Sequence, residues 1–346
     1  MKVVHVVYSL KYGGIETMLV NIVNEQVKHK DISLYIFIIN DYIDDSLLAA
    51  IDERVKIIRI DRPVGSKNPY YLLKANIVLL RIHADIIHFH LSLVGQILCL
   101  PLFKSRSVYT QHALVAPNEI RYIRNFPRIV SISEGVKSSL QNLGFNSKVI
   151  YNGIIPSQFC HIKTSNNDLH RIVAVGRLAC SVKGQDILVL AVKELVKSGI
   201  ANFHVDIIGD GESRAFLENL IIQEELDNYV SLLGVKSQGY ISANLCNYDL
   251  FVQPSRKEGF GLTITEAMAS KVLVLTSDQD GPMEVIGNGE CGYVFHTNDI
   301  LSCASQIKKI LSSDNRKMVE LAYQRVKTSF NVSNTAKQYL KIYQEV

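Results

Sequence analysis

The sequence has few of the features that mark small cross-linked or metal-bound proteins. Its 346 residues include only six cysteines, which are scattered and form no C-x-x-C pair. Zinc sites and disulfide frameworks need regularly spaced cysteines, so neither is expected here. We interpret the cysteines as small buried hydrophobic residues in a reducing compartment. The sequence also lacks internal repeats and low-complexity segments.

Long apolar runs are missing as well. The longest, roughly Leu91 to Phe103, contains Pro101 and is too short to cross a bilayer. The opening segment MKVVHVVYSL carries one lysine and then a short β-branched run that reaches Gly13 and Gly14 at once, which predicts no secretory signal. We expect a cytoplasmic protein, and peripheral binding to the inner face of the membrane stays open.

Acidic residues are scarce in one part of the chain. Residues 54–128 contain 12 basic and three acidic residues, although the net charge of the whole chain is only +4. A helix predicted to begin near Pro69 places Lys74 and Arg81 on one face, beside leucine and isoleucine. Such a helix could contact acidic phospholipid or a lipid-pyrophosphate acceptor, or be an ordinary solvated amphipathic helix. Nucleic acid is not expected, because no recognition motif accompanies the charge.

The chain is rich in short apolar segments that alternate with helical patterns. Its length and its 47% hydrophobic content are typical of a soluble globular protein with two domains. Fully apolar strands between helices indicate parallel sheets buried on both faces, and two such sets predict two doubly wound α/β lobes. The predicted strands are 2–8, 32–39, 55–60, 85–89, 106–110, 128–132, 147–150, 171–175, 203–208, 230–233, 249–252 and 272–275.

A domain boundary is predicted near the segment YNGIIPSQF at 151–159, which a polar run follows at 163–168. We therefore assign residues 1–160 to a first lobe and residues 161–330 to a second. The remaining residues, 331–346, open with an N-cap-like segment and predict a last helix.

Two motifs with anion-binding character directly follow predicted strands, where parallel α/β sheets bind their ligands. Gly13 and Gly14 lie between the first strand and a helix, so that backbone N–H groups can approach a phosphate. Arg177 follows the strand RIVAVG, and Lys183 comes six residues later. Two cations suit a diphosphate, although two ordinary surface cations in a loop are the alternative.

Two carboxylates, Glu258 and Glu266, frame the segment EGFGLTITE. Each carboxylate can accept two hydrogen bonds and therefore suits a vicinal diol. Between them, Gly259 and Gly261 let backbone N–H groups approach an anion. Together with the two cations, this segment fits a nucleotide diphosphate that carries a sugar. Ordinary helix or loop carboxylates are the simpler alternative for both residues.

In this order, the motifs resemble those of the retaining glycosyltransferases of family 4. Glu258 and Glu266 match the family's E-x7-E motif, and Arg177 and Lys183 match its Arg/Lys pair at a wider spacing than usual. The likeness covers nearly the whole chain. It implies the GT-B fold, in which two Rossmann-like lobes face each other across a cleft and the C-terminal helix usually crosses back to the first lobe.

The resemblance implies that a hexose-type sugar moves from a UDP- or GDP-sugar to a hydroxyl of a glycan or lipid-linked acceptor, with retention at the anomeric carbon. It makes the first lobe the acceptor side and the second the nucleotide-sugar side. The implied process is the assembly of a bacterial surface polysaccharide, such as capsule, exopolysaccharide or the O-antigen of lipopolysaccharide. No cofactor and no metal are expected beside the donor.

Individual roles also follow from the resemblance. Arg177 and Lys183 would stabilise the departing nucleoside diphosphate, and Glu258 would bind sugar hydroxyls near the 3- and 4-positions. His112, in YTQHA after a strand, would bind the 6-hydroxyl of the sugar, and Glu266 would bind the ribose. The other implied donor contacts are Gly13, Gly14, Gly209, the backbone around Val235, and the amides of Phe260, Gly261 and Leu262.

Three further motifs invite other readings. IIGDGESR at 207–214 fails as a dinucleotide G-x-G-x-x-G motif because Arg214 takes the place of the third glycine. DQD at 278–280 could hold Mg²⁺ or Mn²⁺ beside a diphosphate, but the arginine–lysine pair already supplies that charge. His88 and His90 alternate along a strand end, and no third ligand has convincing spacing, so packing is expected rather than a metal site.

Two other kinds of protein stay open. Another GT-B enzyme, such as a nucleotide-sugar 2-epimerase or a phosphorylase, would need acid–base carboxylates at the sugar C2 or a pyridoxal lysine and a longer chain. A sugar-binding protein without catalysis would have little use for a diphosphate-sized basic pair. No carboxylate of the first lobe stands out as a nucleophile, so we expect a front-face route in which the leaving phosphate oxygen takes the acceptor's proton.

Overall fold

The computed structural model describes residues 1–11, 13–93, 98, 100–162 and 169–346. The chain divides into two compact units. Unit 1 comprises Met1–Ile154 and Asn331–Val346, and unit 2 comprises Ile155–Phe330. The division after Ile154 falls six residues before the boundary suggested by the sequence, and the polar run at 163–168 lies outside the described residues.

The described residues of unit 1 form one parallel sheet. Its strands are β1 Lys2–Val7, β2 Ser33–Asn40, β3 Lys56–Arg62, β4 Ile86–Phe89, β5 Ser107–Gln111, β6 Arg128–Ser131 and β7 Lys148–Val149. They are arranged in the order β3-β2-β1-β4-β5-β6-β7. The chain changes direction along the sheet between β1 and β4, and ligands of open α/β sheets bind at such a point, beyond the carboxyl ends of the strands.

Helices connect these strands. They are α1 Gly14–Gln26, α2 Asp45–Ala49, α3 Pro69–Ile82, α4 Leu100–Phe103, α5 Ile120–Ile123, α6 Glu134–Gln141 and, at the end of the chain, α15 Val332–Gln344. Helix α3 begins at the predicted proline, with the Asn68 side chain accepting a hydrogen bond from the backbone of Tyr70. It ends at His83 in the left-handed conformation.

Unit 2 has a second parallel sheet in the residues that are described. Its strands are β8 His170–Val175, β9 Phe203–Ile208, β10 Val230–Gly234, β11 Leu250–Gln253, β12 Leu273–Ser277 and β13 Tyr293–Phe295. Their order is β10-β9-β8-β11-β12-β13, so the direction changes between β8 and β11. The helices of this unit are α7 Cys180–Lys183, α8 Gln185–Lys197, α9 Arg214–Gln223, α10 Gln238–Asn244, α11 Leu262–Ala269, α12 Asp280–Val285, α13 Ile300–Leu311 and α14 Arg316–Ser329.

Two doubly wound α/β units confirm the predicted fold class. Each predicted strand is present, with both ends within two residues of the prediction. Valine, isoleucine and leucine of the central strands are almost fully buried, because helices cover both faces of each sheet. Within this apolar interior of unit 1, His5, His88 and Gln26 are also fully buried, at 0% exposure. Buried polar groups of this kind need hydrogen-bond partners.

Helix α3 carries an apolar stripe on the surface of unit 1. Leu73, Ile77 and Leu80 are exposed by 62%, 38% and 42%, and their spacing puts them on one side of the helix. Lys74 donates to a backbone carbonyl at β3 over 2.8 Å, whereas Arg81 is exposed. The basic face predicted from Lys74 and Arg81 is therefore reduced to Arg81. Among the helices described, none is long and apolar enough to span a membrane.

Candidate functional site

Two of the sequence motifs meet at the carboxyl edge of the sheet in unit 2. Lys183, at the end of α7, places Nζ 2.6 Å from Oε2 of Glu258, which follows β11. The side chains are only 27% and 14% exposed. The side-chain amide of Gln253 donates to the same oxygen over 3.1 Å, and its side-chain oxygen Oε1 accepts a hydrogen bond from the Thr263 hydroxyl. Oε1 of Glu258 has no hydrogen-bond partner among the described residues and can accept a hydroxyl.

A second ion pair, which the sequence analysis missed, fastens the same two loops together. Arg256 binds Asp186 with Nη1 2.6 Å from Oδ1 and Nη2 2.7 Å from Oδ2. This bidentate geometry is among the strongest for an ion pair. Arg256 also donates to the carbonyl of Cys180, and its backbone N–H donates to Val182 over 2.8 Å. The loop after β11 is thereby fixed against α7, which carries Lys183.

A glycine makes this close approach possible. Gly184 joins α7 to α8 with φ +66°, and a Cβ at this position would lie 2.0 Å from the carbonyl oxygen of Pro254. A larger residue would be strained by its φ and would also push the turn away from the loop after β11. Gly184 therefore sets the distance between Lys183 and Glu258.

Arg177 lies two residues beyond the end of β8 and is exposed. Its carbonyl accepts a hydrogen bond from the Gln185 side chain over 2.8 Å, but its guanidinium group has no partner within the described part of the chain. Gly209 packs beneath this segment, since a Cβ there would lie 1.9 Å from the carbonyl oxygen of Gly176. Of the two predicted cations, Lys183 pairs with a predicted carboxylate and Arg177 does not.

Glu266 lies in the second turn of α11 and is half-buried. Its carboxylate accepts a hydrogen bond from the amide of Gln238 over 2.8 Å. Burial raises the pKa of Glu266 to about 7, and the hydrogen bond from Gln238 opposes the rise. Gln238, at the start of α10, was missed by the sequence analysis, and the predicted base contact Val235 lies three residues before it with 66% exposure.

The glycine-containing segment before α11 forms a helix N-terminus. Gly261 caps the helix with φ +103°, and Leu262 begins it. The first N–H groups of a helix have no intrahelical acceptors and favour anions. Phe260 is only 2% exposed and packs edge-on against Phe330, with 5.5 Å between ring centroids. The Phe260 side chain thus anchors this helix start in the core.

In unit 1, the predicted glycines lie at the start of α1. Gly13 is the N-cap in extended conformation, and Gly14 is the first helical residue. A Cβ on Gly13 would lie 2.8 Å from a carboxylate oxygen of Glu16, which is the far end of a flexible side chain. Burial raises the pKa of Glu16. An anion at this helix start would therefore meet a partly buried carboxyl group.

His112 follows β5, is half-buried, and ends a row of histidines in unit 1 whose other members are buried. Its Nε2 lies 3.2 Å from Nδ1 of His90, and Nε2 of His90 lies 3.0 Å from Nδ1 of His5. His88 hydrogen-bonds the hydroxyl groups of Tyr343 and Thr110, each over 2.7 Å. Burial lowers the pKa of His112 to about 3 and that of His5 to about 4.

The histidine cluster corrects one sequence prediction. We expected no third ligand beside His88 and His90, but the ring nitrogens of His5, His88 and His90 lie within 4.8 Å of one another. Sequence spacing could not show this, because His5 lies on β1 and reaches the others only through the pairing of β1 with β4. The apolar strand KVVHVV with one histidine is the signal that was available.

The DQD segment has a local structural role at Asp278. Burial opposes ionisation of Asp278, but hydrogen bonds from Thr297 and His296 outweigh it and lower the pKa of this carboxyl. Its partners include the Thr297 N–H at 2.8 Å. Asp280 lies in the first turn of α12 and is exposed. The two carboxylates are not among the groupings within the described residues that could share a metal ion.

A cavity of about 920 Å³ lies at the other edge of the sheet in unit 2. Residues at the start of β8 and β12 line it, among them His170 and Leu273. Because parallel strands all run in the same direction, their starts and their ends lie at opposite edges. This cavity is therefore separate from the motifs that follow β8 and β11.

Comparisons with known proteins show the family to which the chain belongs. The family model "Glycosyltransferase Family 4" matches residues 12–158, and "Glycosyl transferases group 1" matches residues 161–325. The glycosyltransferase MJ1178 of Methanocaldococcus jannaschii is 26% identical over 98% of this chain and 97% of its own length. The capsular polysaccharide biosynthesis glycosyltransferase CapM of Staphylococcus aureus is 27% identical over 54% and 53% of the two chains.

Among solved structures, Anabaena HepE in complex with UDP and glucose is similar over the full length of both chains, with a TM-score of 0.82 and 19% identity. Two doubly wound units of this kind define the GT-B fold. The chain belongs to the glycosyltransferases of family 4.

Proposed function

We propose that the protein transfers a hexose-type sugar from a UDP- or GDP-sugar to a hydroxyl group of a glycan or lipid-linked acceptor, with retention and without a metal ion. The observation that carries this proposal is the half-buried Lys183–Glu258 pair at the carboxyl edge of the sheet in unit 2. It joins a cation suited to phosphate with a carboxylate suited to hydroxyl groups. The complex of HepE with UDP and glucose supports a nucleotide-sugar donor.

The charges of this site fit the departure of a nucleoside diphosphate. The exposed guanidinium of Arg177 and the ammonium of Lys183 would stabilise the negative charge that develops on the leaving phosphate. Before the donor binds, Glu258 balances the charge of Lys183. Afterwards Lys183 can serve the phosphate, while Glu258 binds a sugar hydroxyl through Oε1. The N-terminus of α11, at Gly261 and Leu262, offers further N–H groups to the diphosphate.

Glu266 would bind the ribose hydroxyls in this proposal. With a pKa of about 7, its carboxyl group changes protonation near neutral pH. The ionised form accepts hydrogen bonds from both hydroxyls, whereas the protonated form can donate one. Donor affinity should therefore depend on pH around neutrality.

The transfer step follows a front-face route. The acceptor oxygen forms a bond with the anomeric carbon on the side from which the phosphate oxygen leaves, and that phosphate oxygen takes the acceptor's proton. No carboxylate of the protein forms a covalent intermediate in this scheme. Three residues of unit 1 would also contact the substrate in this proposal: His112, Gly13 and Gly14.

The names of the relatives suggest the process. CapM acts in capsular polysaccharide biosynthesis, and Salmonella WcaL carries the name of a colanic acid biosynthesis glycosyltransferase. We propose surface polysaccharide assembly for this chain, with an acceptor that is lipid-linked or held near an anionic membrane.

The apolar stripe of α3 supports contact with such a membrane. Leu73 and Ile77 are exposed beside Arg81, a combination that suits a lipid surface. We expect the protein to sediment with vesicles that contain phosphatidylglycerol, and a variant with Leu73→Gln and Ile77→Gln to lose this binding. Leu301→Gln, at a 67% exposed site of unit 2, is the matched control. Equal sedimentation of all three proteins would contradict a membrane role for α3.

The proposed function is tested by titrating UDP-glucose, UDP-galactose, UDP-N-acetylglucosamine and GDP-mannose into the protein, with EDTA present, in a calorimeter. One donor should bind, and Arg177→Ala and Glu266→Ala should each weaken it about tenfold or more. Arg316→Ala, which removes an exposed arginine paired with Asp314, should leave binding unchanged. Slow hydrolysis of the bound donor then separates an enzyme from a sugar-binding protein. Binding that EDTA abolishes would overturn the metal-free proposal.

A further inference from the structure

Four polar side chains of unit 1 form one hydrogen-bonded row, which we call the relay: Gln26, His5, His90 and His112. Oε1 of Gln26 lies 3.0 Å from Nε2 of His5, and Nδ1 of His5 lies 3.0 Å from Nε2 of His90. Nδ1 of His90 lies 3.2 Å from Nε2 of His112. The first three residues are at most 1% exposed. The relay thus runs from the end of α1 to the carboxyl edge of the sheet.

The imidazoles of the relay are neutral. Two ring nitrogens that face each other at hydrogen-bond distance share one proton, so that one donates and the other accepts. Burial also lowers the pKa of His90 well below its usual value and lowers the pKa of His5 and His112. Each ring therefore carries one proton, and the position of that proton depends on its neighbour.

The amide of Gln26 fixes the direction of the relay. Its carbonyl oxygen can only accept, so His5 carries its proton on Nε2. Nδ1 of His5 then accepts from Nε2–H of His90. By the same reasoning, Nδ1 of His90 accepts from Nε2–H of His112. His112 is left with an unprotonated Nδ1, three hydrogen bonds away from the Gln26 oxygen that sets the direction.

The Gln26 amide is placed with its oxygen toward His5, at 3.0 Å from Nε2. Its Nε2 is buried and makes no hydrogen bond with the described residues. The direction of the relay depends on this orientation, because the oxygen accepts a hydrogen bond from His5, whereas the amide nitrogen would donate one.

The relay ends in an unused acceptor. Nδ1 of His112 is buried and has no partner in the part of the chain that the structure describes. An unpaired buried acceptor lowers stability, and a group that enters the site and donates to it restores the lost hydrogen bond. We propose that Gln26, His5 and His90 are positioning residues that hold His112 in the tautomer whose Nδ1 accepts a hydrogen bond from a substrate hydroxyl. This role for His112 rests on the proposed function, whereas the tautomer itself does not.

A metal ion is the competing use of the same cluster. The nitrogens of His5, His88 and His90 are close enough to share one. However, both nitrogens of His5 are engaged in the relay, and both nitrogens of His88 bind the hydroxyls of Tyr343 and Thr110. A metal would have to replace several of these hydrogen bonds in a site without charged ligands. The hydrogen-bonded relay accounts for each of these nitrogens without such a loss.

The tautomer can be read directly by nitrogen NMR of the ligand-free protein with ¹⁵N-labelled histidine. The His112 signals, assigned by their loss in His112→Asn, should show a protonated Nε2 and an unprotonated Nδ1 at pH 7. A proton on Nδ1 would overturn the proposal. So would stoichiometric zinc in the purified protein together with His5, His88 and His90 signals that shift when zinc is removed.

Two variants of Gln26 test whether the far end of the relay decides the tautomer. Gln26→Glu keeps an oxygen acceptor and should keep the His112 signals of the wild type. Gln26→Met has a similar length but only the weak acceptor of a thioether, and it should mix the two His112 tautomers. Thr110→Val, an isosteric change that removes a partner of His88 outside the relay, should leave the His112 tautomer unchanged. An unmixed tautomer in a folded Gln26→Met variant would contradict the relay.

The rate of UDP-glucose hydrolysis tests whether the His112 tautomer matters for the reaction. If Nδ1 of His112 accepts a substrate hydroxyl in the transition state, Gln26→Met should lower kcat about tenfold, as expected for one neutral hydrogen bond, and Gln26→Glu should restore it. Unchanged kcat with mixed tautomers would overturn the role assigned to His112 and leave the relay intact. Failure of the wild type to bind or hydrolyse any donor would instead count against the proposed function.

Discussion

The two units use the carboxyl edge of the same kind of sheet in opposite ways. In unit 2, this edge carries two half-buried ion pairs, Lys183–Glu258 and Arg256–Asp186. In unit 1, the corresponding edge carries neutral imidazoles that end at His112. The cations of unit 2 suit a diphosphate, and its carboxylates suit hydroxyl groups, whereas the neutral imidazoles of unit 1 suit hydroxyl groups alone. Under the proposed function, phosphate binding would fall to unit 2, and His112 of unit 1 would contribute a neutral acceptor for a substrate hydroxyl.

The ion pairs of unit 2 and the relay of unit 1 also differ in the interactions that stabilise them. Half-buried ion pairs offset the cost of desolvation only with good geometry and further hydrogen bonds, which Gln253 and the bidentate Arg256 supply. The relay in unit 1 avoids this cost because it carries no charge. Disturbing a charge in unit 2 should therefore affect the reaction more than disturbing a proton position in unit 1.

The largest expected effect comes from removing the phosphate charge in unit 2. Lys183→Ala should lower the turnover of the donor by about 10²–10³-fold, because an electrostatic contact to the developing charge is lost. Lys193→Ala removes a lysine of the same unit that pairs with Glu224, and it should leave the steady-state rate unchanged. Wild-type turnover in the Lys183→Ala variant would contradict the proposed role of charged groups in unit 2.

Gly184→Ala should come next, since it disturbs the distance between Lys183 and Glu258. We expect a loss of about 3 kcal/mol in the free energy of unfolding, from the left-handed φ and from the contact with Pro254, together with a lower rate. Urea unfolding measures the first effect and donor turnover the second. Gly199→Ala is the matched control, because it has φ +77° but no atom within 4 Å of the added Cβ. An equal loss in both variants would show that the Pro254 contact contributes nothing.

The fold could be predicted from the sequence to a large extent, for a physical reason. Apolar β-branched runs of four to eight residues bounded by turns leave little doubt about a buried parallel strand. β13 was missed because its three residues, Tyr293–Phe295, are too short to show a pattern. The Lys183–Glu258 contact was foreseen only as two motifs that belong to one ligand. Nothing in their spacing predicted a direct ion pair.

The supporting residues of the site could not be predicted. Arg256 reaches Asp186 across 70 positions of sequence, and His5 reaches His90 across 85. A single arginine in a loop or a single histidine in a strand gives no pattern, because the partner is set by which strands are neighbours in the sheet. Gln26 and Gln238 could not be predicted for the same reason. Motif spacing therefore identified the groups that could contact a ligand, but not those that hold them.

The pH dependence of folding stability tests the raised pKa of Glu266 in unit 2. Its folded pKa, about 7, lies above the ordinary 4.5, so the folded state favours the protonated form. Folding stability should therefore be lost as the pH rises from about 4.5 to about 7 and change no further above that range. Each pKa unit corresponds to about 1.4 kcal/mol, and partial exposure should reduce the total to about 2 kcal/mol. Glu266→Gln, measured by urea unfolding at several pH values, should lack this loss. A parallel pH dependence in both proteins would place the titration elsewhere.

The smallest expected effect comes from breaking Arg256–Asp186, the ion pair that supports the neighbouring pair Lys183–Glu258. Arg256→Ala and Asp186→Ala, made singly and together, form a double-mutant cycle for which we expect a coupling energy of about 1 kcal/mol in unfolding, because the pair is bidentate but partly exposed. Either single change should also loosen α7 and weaken donor binding several-fold through Lys183. The exposed pair Arg316–Asp314, treated in the same way, should give a coupling near zero and no effect on the donor. If the two cycles agree, Arg256 has no special part in holding the site, and the rigidity assigned to unit 2 must come from Gly184 and Gln253 alone.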